Sequence, residues 1–268
     1  MSERRLSVDG VETAVFESGA GPDVLFLHGN PDTHRVWSPV VEKLAAQHRC
    51  ITPDLPGYGD SRAPADFDFS VAHQGEWVRA LVSALGLSRV HLVVHDIGGP
   101  HGLSFAAQHP DMLHSLTIFN TLFSPDVPWH FWARVWRTPI LGELAMKFGS
   151  GALFVREMLK GSPKLKREYA EDAWTHYTPE TRRQVLRWYR AMNLSTVLAG
   201  WDTRLRDAMR EVPSQVVWGE RDIYIPPWVA DRFGAPVHRI VDCGHWVMLE
   251  DPAEASSRIA ELVARASQ

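Results

Sequence analysis

VHLVVHDIGG, at residues 90–99, is the stretch that decides the fold, because its apolar run predicts a buried strand and residues 99–109 predict a helix directly after it. Asp96 lies on the turn between them, with Gly98 and Gly99 two and three residues later. Such a turn holds its central residue in strained backbone geometry and needs very small neighbours where strand and helix almost touch. We therefore predict that Asp96 is a nucleophile presented above the sheet.

An aspartate at this position favours one kind of chemistry. Serine usually occupies the centre of such a turn. A carboxylate is unsuited to acyl transfer from esters, since the product would be a high-energy anhydride, but it can attack an sp³ carbon and displace a halide or open an epoxide. We expect the chain to hydrolyse a small, largely apolar electrophile through an alkyl ester on Asp96, which water then cleaves at the carboxyl carbon.

Further runs predict strands that crossovers join at the spacing typical of a parallel sheet: 23–28, 49–54, 115–120, 215–219 and 238–243. Two amphipathic segments before them, 4–8 and 12–17, predict an antiparallel hairpin at the edge. Residues 121–201 show only a helical pattern, rich in Trp, Arg and Pro. The sequence therefore predicts an α/β fold with a mostly parallel, doubly wound sheet. Its core comprises residues 1–120 and 202–268, and residues 121–201 form an inserted helical cap.

Cleavage of the ester needs a general base and a group that orients it. Ligands in parallel sheets bind beyond the carboxyl ends of the strands, and His245 follows the last predicted strand while Asp222 follows the one before. We predict that His245 activates the water and that Asp222 fixes its tautomer and stabilises the imidazolium. Glu220, two residues away, is an alternative relay acid. The backbone N–H groups of Asn30 and Ile97 are the predicted donors to the oxyanion.

The charge and composition of the sequence limit the classes of partner that we expect. The 268 residues carry a formal charge of −4, which gives no electrostatic reason to expect nucleic acid or an anionic membrane. Cys50 and Cys243 are too few and too far apart for a disulfide framework or a zinc site. The charged N-terminus and the lack of any 18-residue apolar run favour a cytoplasmic protein with no membrane partner. We expect a small-molecule substrate, no metal and no cofactor; the sequence does not indicate the oligomeric state.

These motifs resemble the haloalkane dehalogenase and epoxide hydrolase branch of the α/β-hydrolase superfamily over nearly the whole chain. The most similar stretches are residues 27–31, 53–61, 94–99 and 242–252. The resemblance implies the α/β-hydrolase fold, with Asp96 as nucleophile, His245 as base, Asp222 as relay acid and no cofactor. The two activities share this machinery and differ in how the leaving group is stabilised.

The leaving-group donors distinguish the two activities. The resemblance implies that a dehalogenase holds its halide with the Asn of the HGN motif, here Asn30, and with a Trp directly after the nucleophile. Ile97 occupies that second position, so half of the halide cradle is missing unless a cap tryptophan such as Trp129 or Trp132 substitutes. An epoxide hydrolase instead needs a donor on the cap that protonates the opening oxygen.

Residues 187–193 are similar to the cap segment that carries a ring-opening tyrosine in epoxide hydrolases, which makes Tyr189 the candidate acid. His130 is a second candidate donor. A tyrosine among helical aromatics can equally be a core residue, and Asn30 with the pair 120–121 points back to the dehalogenases. We predict epoxide opening. The alternatives are haloalkane hydrolysis and a non-catalytic small-ligand receptor on the same fold, disfavoured because its relatives retain Ser at the turn.

Overall fold

A sheet of eight strands organises the computed structural model, which describes residues 2–267. The strands are β1 (Ser2–Val8), β2 (Val11–Ser18), β3 (Asp23–Leu27), β4 (Arg49–Pro53), β5 (Val90–His95), β6 (Leu113–Phe119), β7 (Ser214–Gly219) and β8 (Val237–Ile240). Their order across the sheet is β1-β2-β4-β3-β5-β6-β7-β8. β2 pairs antiparallel with β1 and β4, and the other neighbours are parallel. The predicted mostly parallel sheet and its edge hairpin are confirmed.

Helices connect the strands and cover both faces. The α-helices in residues 2–267 are α1 (Ser38–Leu44), α2 (Val71–Ala84), α3 (Gly98–Gln108), α4 (Phe131–Arg137), α5 (Leu141–Phe148), α6 (Gly151–Gly161), α7 (Arg167–His176), α8 (Pro179–Ala191), α9 (Leu194–Val197), α10 (Trp201–Ala208), α11 (Val247–Glu250) and α12 (Pro252–Ala266). Helices α2, α3 and α10 pack together over one face, and α1, α11 and α12 over the other. None of these helices has the length and apolar character needed to cross a membrane.

The central strands are continuous apolar runs in the sequence because both of their faces are buried in the structure. Every residue of β5 is buried, including His91 and His95, because helices shield both faces of a parallel sheet. The predicted bounds of β5 are confirmed, whereas the predicted end of the last strand is wrong. β8 stops at Ile240 instead of residue 243, since Val241 is exposed and Cys243 donates its backbone N–H to the Ile240 carbonyl in a turn.

The segment between β6 and β7 lies over the carboxyl ends of the strands. It holds α4 to α9, of which α4, α5 and α8 pack on one another, and then α10, which packs on α3 of the core. Arginines on the helices tie this layer together: Arg137 on α4 donates to the carbonyls of Tyr189 and Met192, at the C-terminal end of α8. These contacts fix α8, and with it Tyr189, above the sheet.

Candidate active site

Asp96 occupies the turn that the sequence predicts. Its φ of 47° lies in the left-handed region, which a non-glycine residue adopts only at a cost. A Cβ on Gly98 would lie 2.5 Å from the His28 carbonyl oxygen, and one on Gly99 would lie 1.8 Å from Thr121 Oγ1. Because no side chain fits at either position, strand and helix can approach closely enough to lift the carboxylate of Asp96 above the sheet.

Backbone donors hold the Asp96 carboxylate. The N–H of Asn30 donates to Oδ1 over 2.7 Å, and the neighbouring N–H of Ile97 lies close enough to the carboxylate to lower its pKa. Burial raises the pKa of Asp96 above its usual 3.8, although the charge of His245 and the two N–H donors lower it. The donors predicted from the sequence therefore lie where an oxyanion would form on this carboxyl group.

His245 connects Asp96 to a second carboxylate. Its Nε2 lies 3.7 Å from Asp96 Oδ2, and its Nδ1 lies 2.8 Å from Asp222 Oδ2. The backbone N–H groups of Tyr224 and Ile225 donate to the other oxygen of Asp222, over 2.7 and 3.0 Å. Asp222 is therefore a fixed, charged partner that orients the imidazole.

Glu220, the alternative relay acid, points elsewhere. Its carboxylate pairs with the Arg239 guanidinium over 2.5 Å, near the surface. Asp222, by contrast, is 7% exposed and accepts a hydrogen bond from the Asn120 amide over 2.8 Å as well as the contact with His245. The geometry thus brings Asp222, and not Glu220, to the histidine.

The charge of His245 depends on the state of Asp96. Burial lowers the pKa of His245, but the Asp222 charge and hydrogen bond, together with the Asp96 charge, outweigh it and raise the pKa to about 9. The resting site thus holds an imidazolium between two carboxylates. Esterification of Asp96 removes one of those negative charges, so the pKa of His245 falls and the ring can accept a proton from water.

The sequence analysis did not identify two polar site residues that lie close to Asp96, His245 and Asp222. Asn120 donates to Asp222, and its Oδ1 accepts the Gly219 backbone N–H over 3.0 Å. Asp32 is buried and accepts a hydrogen bond from Trp246 Nε1 over 2.9 Å; burial raises its pKa to about 7. Both residues follow the carboxyl end of a strand, which is the signal that would have found them.

Tyr189 lies on α8 and faces a cavity between the strand ends and the helices above them. It is buried, and it lines the cavity together with Asp96, His245 and Asn30. Burial and the nearby charge of Asp96 hold the pKa of Tyr189 well above its usual 10, although the neighbouring Asn30 side chain lowers it. The hydroxyl therefore keeps its proton and can donate it to a developing oxyanion.

His130 lines the cavity as a neutral ring. Its Nδ1 accepts the Ala133 backbone N–H over 3.3 Å and so caps α4, which leaves the proton on Nε2. Burial lowers the pKa of His130 to about 4. At neutral pH the ring is thus a donor through Nε2, not a cation.

Neither Trp129 nor Trp132, the two cap tryptophans considered as a second halide donor, supplies a free N–H to the cavity. Trp132 lines the cavity, but its Nε1–H donates to the Glu157 carboxylate over 3.1 Å. Trp129, predicted to contact substrate, is not part of the cavity lining; its ring packs 5.4 Å from that of Tyr189. The expectation for Trp129 is corrected, because α8 places Tyr189, and not this indole, against the cavity.

The cavity has a volume of about 440 Å³ and lies between the carboxyl ends of the strands and the helices above them. Pockets of this size typically take one small organic molecule. Its lining is mainly apolar and aromatic. Asp96 contacts both Asn30 and His245, and Tyr189 lines the same cavity. The arrangement suits nucleophilic attack on a largely apolar molecule.

Comparison with known proteins agrees with this geometry. A model of the α/β-hydrolase fold matches residues 22–146. A cis-3-alkyl-4-alkyloxetan-2-one decarboxylase of Shewanella oneidensis is 28% identical, over 93% of this chain and 84% of that protein. A haloalkane dehalogenase of Bradyrhizobium diazoefficiens is 29% identical, over 95% and 91%. An epoxide hydrolase of Caballeronia sordidicola is 28% identical, over 98% and 94%. Identity alone does not choose among the three.

Proposed function

Because the chain is an α/β-hydrolase of the branch that contains haloalkane dehalogenases and epoxide hydrolases, we propose that it opens apolar epoxides through an alkyl ester on Asp96. The observation that carries the proposal is that Tyr189 and Asp96 line the same cavity; burial raises the pKa of Tyr189, so its hydroxyl keeps a proton to donate. An epoxide needs such a donor, since an alkoxide is a poor leaving group in a dry pocket.

Ring opening uses the two oxygens of Asp96 differently. Oδ1 accepts the Asn30 N–H, so Oδ2 is the oxygen free to bond to a ring carbon. As that bond forms, the ring C–O bond breaks and its electron pair moves to the epoxide oxygen, which takes the proton of Tyr189. The imidazolium of His245, whose pKa falls once Asp96 is esterified, replaces the Tyr189 proton through water. The step thus ends with a neutral imidazole beside the ester.

Ester cleavage uses that neutral imidazole. His245 takes a proton from water, and the resulting hydroxide attacks the carboxyl carbon of Asp96. The N–H groups of Asn30 and Ile97 stabilise the tetrahedral oxyanion, while Asp222 stabilises the imidazolium. As the intermediate collapses, the proton of His245 passes to the departing diol oxygen, and the proton of the new carboxyl hydroxyl then passes to His245. The resting pair of Asp96 carboxylate and His245 imidazolium is thus restored as the diol leaves.

The cavity is less suited to stabilise the leaving groups of other electrophiles. Halide departure needs N–H donors, and this chain has Ile97 beside the nucleophile and a Trp132 N–H already bonded to Glu157. A four-membered lactone, the kind of substrate named for the decarboxylase relative, also offers an sp³ ring carbon. Bromoalkanes and a cis-3,4-dialkyl-oxetan-2-one therefore belong beside epoxides in the assay. Tight ligand binding with no turnover of any of them would favour a receptor.

Tyr189→Phe is expected to lower kcat for epoxide opening by about a hundredfold or more, because general-acid catalysis typically contributes 10²- to 10⁴-fold. Any halide release from a bromoalkane should survive, since a halide leaves without a proton. Tyr58→Phe is the matched control: Tyr58 is also buried, but it lies outside the cavity lining. The proposal fails if Tyr189→Phe opens epoxides at the wild-type rate, or if the wild-type protein prefers bromoalkanes or the lactone.

A further inference from the structure

The cavity reaches the surface through an unusually apolar rim. Phe131, Leu141 and Phe148, on α4 and α5, line the cavity and are also exposed to solvent. Ile140 and Leu144 are exposed on the same part of the cap but do not line it. Exposed hydrophobic side chains gathered around an opening mark a place where an apolar ligand or partner is bound.

The charged side chains that line the rest of the cavity are already paired within the protein. Glu157 and Arg182 also line the cavity, but each has partners in the protein. The Glu157 carboxylate accepts the Trp132 N–H, and the Arg182 guanidinium donates to the carbonyls of Tyr177 and Met146, over 3.0 and 2.9 Å. Arg182 also stacks on the Trp174 ring, 4.4 Å from its centroid. Apart from the reactive groups and the His130 ring, mainly aliphatic and aromatic surface remains for a ligand.

We propose that the substrate carries a long alkyl chain, whose reactive ring meets Asp96 and whose far end lies against Leu141 and Phe148 at the rim. This inference rests on the proposed epoxide opening and names the substrate class for it. A cavity of about 440 Å³ holds about fifteen groups the size of a water molecule, at roughly 30 Å³ each. A ring with a chain of roughly ten carbons therefore fills it to the rim.

The test is a series of terminal 1,2-epoxyalkanes of six to sixteen carbons, assayed below the concentration at which they form micelles. Each buried methylene should raise kcat/KM by about fourfold, until the chain reaches the rim near about twelve carbons and the gain stops. Phe148→Ser should lower kcat/KM for the twelve-carbon substrate by about tenfold and have a much smaller effect on the six-carbon one. Equal activity over the whole series would overturn the inference.

Ile140→Ser is the matched control, because Ile140 is 74% exposed and Phe148 is 71% exposed, but only Phe148 lines the cavity. The control should behave as wild type with every chain length. If both variants lose activity equally, the exposed apolar side chains around the opening act together in binding to a surface, and the proposed subsite for the alkyl chain is wrong.

Binding of unreactive 1-alkanols separates this inference from the proposed function. Trp132, Trp136 and Trp174 line the cavity, so intrinsic fluorescence should report occupation. Affinity that rises with alkanol length and falls in Phe148→Ser would support the chain subsite even if no epoxide is opened. Epoxide opening without any dependence on chain length would leave the proposed function standing and remove the chain subsite.

Discussion

Asp96→Asn is expected to reduce kcat by at least about 10⁴-fold, because removal of a nucleophile in an enzyme that forms a covalent intermediate costs rates of this order or larger. An amide oxygen does not attack an sp³ carbon at a useful rate. The residual rate should be measured with the best epoxide of the panel, over hours and with fresh protein. Turnover within tenfold of wild type would show that another group attacks the substrate.

The folded state of this variant provides its control. Burial raises the pKa of Asp96, so at neutral pH the folded environment disfavours the charged carboxylate, and a neutral isostere relieves that cost. We therefore expect the thermal midpoint of Asp96→Asn to equal or exceed that of wild type. A large fall in Tm would mean that lost activity reflects unfolding and not the loss of a nucleophile.

His245→Gln is expected to stop the reaction after its first half. Asp96 can still attack, but no base activates water, so the alkyl ester should accumulate at one equivalent per chain while steady-state turnover falls by about 10³-fold or more. Intact-mass spectrometry should show an added mass equal to the substrate. The double variant Asp96→Asn with His245→Gln should show none. A His245→Gln protein that turns over normally, or that shows no adduct with a substrate that wild type consumes, would contradict the two-step scheme.

The nucleophile turn could be predicted from sequence because its determinants are local. An apolar run, an aspartate and two glycines specify strand, turn and helix within ten residues, and Asp96 has the positive φ that this geometry demands. The strands could likewise be predicted, from the apolar runs and their spacing along the sequence. The end of β8 did not, because the exposure of Val241 depends on what packs against it, and a short apolar run does not carry that information.

Side-chain partners across long stretches of chain were beyond the sequence. Asn120 and Asp222 are 102 residues apart, and Asp32 and Trp246 are 214 apart, so no local pattern joins them. The cap tryptophans were overvalued for the same reason. Composition shows an indole, but only packing shows that the N–H of Trp132 is donated to Glu157. The same limit applied to the relay acid, since Asp222 is distinguished from Glu220 by its contact with His245 and by the pairing of Glu220 with Arg239.

A single turnover in water enriched in oxygen-18, with protein in excess over an epoxide, tests the covalent intermediate most directly. Hydroxide from solvent attacks the carboxyl carbon, so the heavy oxygen should enter Asp96, within the tryptic peptide of residues 90–134, and the first diol released should be unlabelled. Fragmentation of that peptide should place one heavy oxygen at residue 96. Heavy oxygen found in the first diol, with Asp96 unlabelled, would mean that water attacks the substrate directly and that no ester forms.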